Sequence, residues 1–274
     1  MPGVATSACA APSRGRAPAR PRKARVACAA APAGRILALV IGKHHLARLI
    51  QAAVLALAVI AAAGPADEML HDFVFRHFVS HEVRMLANGL TLLGATEVAT
   101  VGLIGLAVVG YRTADAPMWQ AAVSGVAGVL LAGLTTQVAK HIACRARPRL
   151  VDGWGVGAAT PPDSPALRGF FHWPCFGESG YHGFPSGHAA TAFATAAALI
   201  GWVPPRRRGW LLAVASAVAA SRIVLNAHFL SDVLGGGLFG WWSGEAGLFL
   251  VSRYVAPRWS ARNTGTAPRS RVSA

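Results

Sequence analysis

Long apolar runs alternate with short polar stretches between Leu46 and Val251. Runs that approach the length needed to cross a bilayer predict membrane-spanning helices. The fourth and fifth runs are short, so we expect their helices to extend into flanking residues such as Ser186 and Ala227. The pattern therefore predicts an all-α, polytopic membrane protein, a bundle of six transmembrane helices at about 46–64, 90–111, 118–138, 189–203, 210–225 and 233–251.

Four segments outside these spans have other patterns. Residues 1–35 and 256–274 are basic and predict disordered tails on either side of a membrane domain at 36–255. A cleaved secretory signal fits the N-terminus poorly, and a start codon placed too far upstream stays an alternative. Residues 66–86 mix charged and apolar side chains, which is typical of an interfacial helix. Residues 141–184 predict a long loop, and loops of that length are usually functional or disordered.

Composition and charge support a membrane location. Hydrophobic residues make up 54% of the 274 residues and charged residues only 14%, whereas a soluble domain has roughly a quarter charged. The formal charge of +15 comes mainly from cations that flank apolar runs, so it predicts topology and contact with anionic lipids. We expect cytoplasmic termini, an inner-membrane location and an outward loop. Nucleic-acid binding is not expected, because no basic patch is interleaved with exposed aromatic residues.

Two polar clusters at span edges suit phosphate binding. Lys140 and Arg147 supply positive charge, and Pro148 stiffens the turn. Ser186 is predicted to be the N-cap of the fourth span, where exposed amides favour anions. Gly187 allows close backbone approach because it has no Cβ. His188 is suited to protonating a leaving alkoxide.

A third cluster, from Ser221 to Asp232, predicts a nucleophile. His228 and Asp232 are four residues apart and would share one face of a helix. Asp232 is then expected to accept a hydrogen bond from Nδ1 of His228, leaving Nε2 free to attack phosphorus. Arg222 is expected to bind two phosphate oxygens. These residues predict hydrolysis through a phosphohistidine, with fixed cations in place of a metal and with no cofactor.

The three clusters together resemble the signature motifs of the type-2 phosphatidic acid phosphatase family. They are Lys140 with Arg147-Pro148, Pro185-Ser186-Gly187-His188, and Ser221-Arg222 with His228 and Asp232. That family is similar at its active site to vanadium haloperoxidases and glucose-6-phosphatase. The resemblance covers about residues 46–252 and implies six helices with a site facing the periplasm or cell exterior. It also implies that His228 is the nucleophile, Asp232 its orienting group and His188 the acid.

Several alternatives stay open. An anion transporter or channel and a catalytically inactive lipid-binding scaffold compete with the enzyme. The substrate is expected to be a membrane lipid phosphate, but the residues do not choose among phosphatidic acid, phosphatidylglycerophosphate, undecaprenyl diphosphate and lipid A. The oligomeric state is equally open.

Details of the loop are open as well. Its cysteines, Cys144 and Cys175, either are free thiols or form a disulfide. Further loop residues contact the lipid headgroup or merely face solvent and lipid: Arg145, Arg149, Arg168, His172, Tyr181 and His182.

Overall fold

A computed structural model describes residues 59, 62–78, 80–151, 169–257 and 259. These ranges contain helices and turns and no named strand, so the all-α prediction is confirmed for them. The longer helices are α1 (Asp67–His77), α2 (His81–Leu93), α3 (Thr96–Arg112), α4 (Ala116–Ala143), α5 (Gly187–Leu199), α6 (Arg208–Val224) and α7 (Leu230–Leu250). Short helical turns occur at Pro148–Val151, Ser179–Tyr181 and Pro205–Arg207, and residues Val251–Val255 extend α7.

The helices follow the last four predicted spans closely but differ around residues 66–93. A single interfacial helix was expected at 66–86, and the structure has two helices, α1 and α2. The break falls just before Ser80, whose hydroxyl accepts a hydrogen bond from the Val83 amide and so caps α2. The predicted tail at 1–35 lies outside the described residues. So do nearly all of the tail at 256–274 and nearly all of the span at 46–64.

Helix length bears on the predicted number of spans. Among the described residues, α4 is long and apolar enough to cross a membrane by itself. Helices α2 and α3 meet the same criterion only as a pair, with a bend of 49° between them. The count of six spans therefore stays a prediction.

Glycines bring α7 into close contact with its neighbours. On the face of α7 towards α5, every fourth residue is a glycine: Gly236, Gly240 and Gly244. An added Cβ at these positions would overlap backbone atoms of α5 or of Ser186 just before it. Gly247 lies in the same way against Gly128 of α4. Small residues at such spacing let helix backbones approach each other, as in membrane helix pairs. This packing fixes the N-terminal ends of α5 and α7 side by side.

The outer surface of the described helices is apolar. Exposed side chains on α3 and α4 include Val101, Ile104, Leu130, Leu134 and Val138. An apolar surface of this extent on helices whose backbone hydrogen bonds are internal suits contact with lipid.

The glycine contacts predict a stability effect. We expect Gly240→Ala to lower the free energy of unfolding by about 1–3 kcal/mol, because the methyl group would overlap the Ala190 carbonyl. Gly105→Ala on α3 is the matched control, since an added Cβ there meets no atom within 4 Å. Thermal unfolding of both variants in detergent tests this, and equal melting temperatures would contradict the packing described.

Candidate active site

Four helix ends meet at one end of the bundle. Helices α4 and α6 end there, and α5 and α7 begin there. The Ser186 amide, just before α5, donates a hydrogen bond of 2.9 Å to the Asp232 carbonyl in the first turn of α7. The Lys140 ammonium lies 3.5 Å from the position that a Cβ on Gly187 would occupy. The structure thus brings the three polar clusters together.

His228 lies at the base of this site and is only 3% exposed. Its Nδ1 lies 2.7 Å from the Gly183 carbonyl oxygen and 3.6 Å from Oδ2 of Asp232. A carbonyl only accepts hydrogen bonds, so this contact assigns the proton to Nδ1 and leaves the lone pair on Nε2. Burial lowers the pKa of His228 to about 4, although the nearby Asp232 opposes the shift. The imidazole is therefore neutral near pH 7, as a nucleophile must be.

The expected pairing of His228 with Asp232 is present, but with a different geometry, because Oδ2 of Asp232 lies 3.6 Å from Nδ1. His228 precedes α7, which begins at Leu230, so the two residues do not share a helix face. The Gly183 carbonyl, at 2.7 Å, is the nearer acceptor for Nδ1. The Asp232 carboxylate instead accepts hydrogen bonds from the Arg145 guanidinium at 2.6 Å and the Phe229 amide at 2.9 Å. Asp232 stays close enough to act on His228 through its charge.

Three cations lie at this site, and two of them, Arg147 and Arg222, interact with the charge of His228. Lys140, Arg147 and Arg222 lie close enough for their charges to interact. Burial, together with the charges of neighbouring arginines, lowers the pKa of Arg147 to about 10. Arg222 is held by a 2.7 Å hydrogen bond from Nη1 to the Thr91 hydroxyl of α2. Several partly buried cations in mutual repulsion are stabilised by an anion, so this arrangement favours a phosphate group.

Some buried polar atoms of this site have no hydrogen-bond partner within the described part of the chain. They include Nε of Arg147, Nε of Arg222 and Oγ of Ser186. Ser186 is the N-cap residue of α5, as expected, but its side chain makes no capping hydrogen bond. An unsatisfied buried donor is costly, and one explanation is a ligand that accepts from it.

His188 lies in the first turn of α5 and is half-buried. Its imidazole is near enough to His228, Arg222 and Lys140 to interact with their charges. His188 therefore lies near His228, where an imidazole could transfer a proton to or from a group on phosphorus.

The loop after α4 is covalently fixed, because Cys144 and Cys175 form a disulfide. Arg145 does not contact solvent or an open site; it is 2% exposed and ion-paired with Asp67 and Asp232. Arg149 is exposed, and Tyr181 packs against the buried cluster of Ala146 and Phe229.

Three further loop residues are predicted from the sequence to contact the lipid headgroup or to face solvent and lipid. His172 contacts the Gly169 carbonyl. His182 lies against His141, with ring centroids 4.7 Å apart, and burial lowers its pKa. Arg168 lies outside the described residues.

Sequence reasoning missed residues that position the site. Gly183, Thr91 and Asp67 hold His228, Arg222 and Arg145 respectively. No spacing pattern identifies them, because each lies far along the chain from its partner. The only feature of the sequence that points to Asp67 is its place in the mixed charged and apolar segment that follows Pro65.

Metal ligation has no candidate in the described ranges, where no group of three or more His, Cys, Asp or Glu side chains is placed to hold an ion. Independence from metal stays a prediction.

Comparisons with known proteins agree with the geometry. Residues 121–256, about half of the chain, match the PAP2 superfamily. Lipid A 1-phosphatases of Rhizobium johnstonii and Rhizobium etli are 34% and 33% identical over 116 residues, which is 42% of this chain. Those residues span only 41% and 43% of the two relatives' own lengths.

A solved structure has the same fold. The transmembrane PAP2-type phosphatidylglycerolphosphate phosphatase of Bacillus subtilis aligns over 76% of this chain and 96% of its own, with a TM-score of 0.53 at 20% identity. All three signature clusters fall inside the matched range of the superfamily. The chain belongs to the PAP2 superfamily.

The contact between Gly183 and His228 predicts a loss of activity. A Cβ at residue 183 would lie 2.8 Å from the Arg145 carbonyl oxygen, so Gly183→Ala must move the carbonyl that orients His228. We expect turnover of a phosphate ester to fall on the order of 100-fold. Gly169→Ala, where a Cβ meets nothing within 4 Å, is the control. Unchanged turnover in a folded Gly183→Ala variant would show that the contact is dispensable.

Proposed function

We propose that this protein is a membrane-embedded phosphatase that hydrolyses a lipid phosphomonoester or diphosphate through a phosphohistidine intermediate. The observation that carries the proposal is the position of the His228 imidazole, buried, neutral and bordered by Arg147 and Arg222. A neutral imidazole with its proton fixed on Nδ1 offers Nε2 as a nucleophile. Membership of the PAP2 superfamily supports the same chemistry class.

The first step forms a bond between Nε2 of His228 and phosphorus. His188 becomes protonated when the negatively charged phosphate lies beside it. The bond from phosphorus to the lipid oxygen breaks, and His188 donates this proton to the departing alkoxide. Asp232, whose Oδ2 lies 3.6 Å from Nδ1, stabilises the positive charge that develops on the imidazole. The product of this step is a lipid alcohol and a phosphorylated His228.

The second step hydrolyses the intermediate. His188, now neutral, accepts a proton from water as the water oxygen attacks phosphorus. The bond from phosphorus to Nε2 breaks, inorganic phosphate leaves, and His228 returns to its neutral form. Both histidines then regain their starting protonation states, so the cycle balances.

Fixed cations stabilise the charge on the transferring group. Lys140, Arg147 and Arg222 surround the phosphoryl oxygens, and the Ser186 hydroxyl and the Gly187 amide at the start of α5 donate hydrogen bonds. The buried donors of Arg147, Arg222 and Ser186 that lack partners among the described residues support this assignment. The mechanism requires no metal and no cofactor.

The membrane location and outward orientation are part of the proposal. Apolar outer faces on α3 and α4 suit lipid, and cations at Arg206–Arg208 lie at the opposite end of α5 and α6 from the site. The Cys144–Cys175 disulfide beside the site is typical of an oxidising compartment. We place the site at the outer leaflet of the inner membrane, with the termini in the cytoplasm and six membrane-spanning helices.

The substrate class follows from the location of the site and from the relatives. Two relatives are named lipid A 1-phosphatases, and the structural neighbour is named a phosphatidylglycerolphosphate phosphatase. Both names describe a phosphate on a membrane lipid. We propose a lipid phosphate substrate for this chain.

Phosphate release tests the proposed activity. Purified protein in detergent should release phosphate from at least one of phosphatidic acid, phosphatidylglycerophosphate, undecaprenyl diphosphate and lipid A. Activity should persist in EDTA and fall to background in His228→Ala. Absence of release from every lipid, or full activity in His228→Ala, would refute the proposal.

The role of His188 predicts a dependence on the leaving group. His188→Gln should reduce turnover of an alkyl phosphate on the order of 100-fold or more. The reduction should be much smaller for p-nitrophenyl phosphate, because p-nitrophenolate leaves without a proton. The ratio of the two rates measures this, and an equal reduction for both substrates would argue against His188 as the acid.

Orientation can be tested by labelling. Ser179→Cys and Arg207→Cys are introduced separately into a chain with Cys9 and Cys28 replaced by Ser; both positions are exposed, at opposite ends of the bundle. A membrane-impermeant maleimide should label residue 179 in intact spheroplasts and residue 207 only after lysis. The reverse pattern would invert the proposed topology.

A further inference from the structure

Arg145 is a buried arginine that links two aspartates from distant parts of the chain. Its Nη1 lies 2.6 Å from Oδ1 of Asp232, and its Nη2 lies 2.7 Å from Oδ2 of Asp67 in α1. Nη1 also donates to the Ser231 hydroxyl. A guanidinium can bridge two carboxylates in this way because its donors point in fixed directions.

Aromatic rings enclose the same guanidinium. Its central carbon lies 4.6 Å from the ring centroids of both Phe170 and Phe229. With 2% of its surface exposed, Arg145 has no face left for a substrate. Its role is therefore different from that of Arg147, two residues further on.

The backbone of Arg145 reaches His228 by a second route. Its carbonyl oxygen accepts a 2.8 Å hydrogen bond from the Gly183 amide. The Gly183 carbonyl in turn accepts the hydrogen bond from Nδ1 of His228. One residue thus holds both groups that face Nδ1, the Gly183 carbonyl and the Asp232 carboxylate.

Asp67 fixes the other side of this cluster. Its carboxylate accepts hydrogen bonds from the Ser231 amide at 2.8 Å and the Ser231 hydroxyl at 2.6 Å. Ser231 lies in the first turn of α7, where an acceptor satisfies an amide that has no partner within the helix. Asp67 therefore ties α1 to the segment that carries His228.

The charges of Asp67, Asp232 and Arg145 add up to one net negative charge beside His228. Asp67 and Asp232 carry two negative charges, and Arg145 neutralises one of them. The imidazole of His228 becomes positively charged when Nε2 attacks phosphorus, and the remaining negative charge stabilises it. Among the described residues, the other charged or titratable groups that interact with His228 are Arg147, Arg222 and His188. The two arginines oppose a positive charge on His228, and His188 does so when it is protonated.

We propose that Arg145 and Asp67 are positioning residues, which hold Asp232 and the Gly183 carbonyl against His228 and set the net charge beside it. The inference rests on the proposed function for its effect on turnover. The cluster has a further consequence, because it acts on the titration of His228 whether or not the lipid is known.

Substitutions that remove opposite charges, at Arg145 and at Asp67, should shift the titration of His228 in opposite directions. Arg145→Gln leaves two uncompensated carboxylates, so the titration of His228 should move to higher pH by about one pH unit. Asp67→Asn removes one negative charge and should move it to lower pH. The double variant restores the original net charge and should titrate close to the wild type. The measurement is NMR of ¹⁵N-histidine-labelled full-length protein in detergent, with the His228 signal assigned by its absence in His228→Gln.

Kinetics supply an independent readout. Arg145→Gln should reduce kcat on the order of ten- to a hundred-fold with little change in KM, since Arg145 does not contact substrate. Arg147→Gln, which removes a proposed phosphate ligand, should raise KM as well. Arg145→Lys keeps the charge, but an ammonium group cannot bridge two carboxylates with the fixed geometry of a guanidinium. We therefore expect kcat to fall while His228 titrates near its original pH.

Matched controls separate these effects from general destabilisation. Asp72→Asn lies on the exposed face of α1, and Arg112→Gln lies at the exposed end of α3. Neither should alter kcat or the His228 titration. The proposal is overturned if Arg145→Gln and Asp67→Asn shift the titration in the same direction or not at all. An equal rise of KM in Arg145→Gln and Arg147→Gln would also overturn it.

The experiment also gives a clear answer if a variant does not fold or if the wild type is inactive. If Arg145→Gln does not fold, Asp67→Asn decides alone: a shift to lower pH supports the proposal and an unchanged titration overturns it. If the wild type releases no phosphate from any lipid, the proposed function fails. The NMR titration then still decides whether Arg145 and Asp67 act on His228.

Discussion

The contact between Nδ1 of His228 and the Gly183 carbonyl is the interaction on which the candidate site depends. It fixes the tautomer of a buried imidazole that interacts with the charges of Arg147 and Arg222. It forms only because Gly183 has no side chain, since a Cβ there would lie 2.8 Å from the Arg145 carbonyl oxygen. Close packing of α7 on α5 through their small residues brings the two loop segments to the same place.

Electrostatics divides the site into two parts. On the side of Nε2, partly buried Arg147 and Arg222 repel each other and favour an anion. On the side of Nδ1, Asp67 and Asp232 share a single guanidinium and leave negative charge. In the proposed reaction, His228 is neutral before it attacks phosphorus and is stabilised by Asp232 once it carries positive charge. The same arrangement accounts for the burial of Arg145 next to a site that contains exposed or half-buried cations.

Sequence patterns predicted which residues lie at the site better than they predicted the contacts between those residues. The charged residues of the three clusters, and the helix ends that carry them, followed from their positions at the edges of apolar runs. Asp232 lies beside His228 as predicted, but spacing alone cannot show that α7 begins after His228 or that the Gly183 carbonyl is nearer to Nδ1. Gly183, Thr91 and Asp67 were not predicted, because their contacts join residues far apart in the chain. Arg145 was expected to contact the headgroup or to face solvent and lipid, and its burial shows that it does neither in this structure.

The most direct measurement is to trap the covalent intermediate. Protein incubated with a ³²P-labelled lipid phosphate is quenched in alkali, where a phosphorus–nitrogen bond on histidine survives, and the labelled peptide is identified by mass spectrometry. The account predicts phosphate on the peptide that contains His228, lost on acid treatment and absent from His228→Ala. Phosphate on a different residue, or turnover in an active enzyme that forms no phosphorylated peptide, would contradict it.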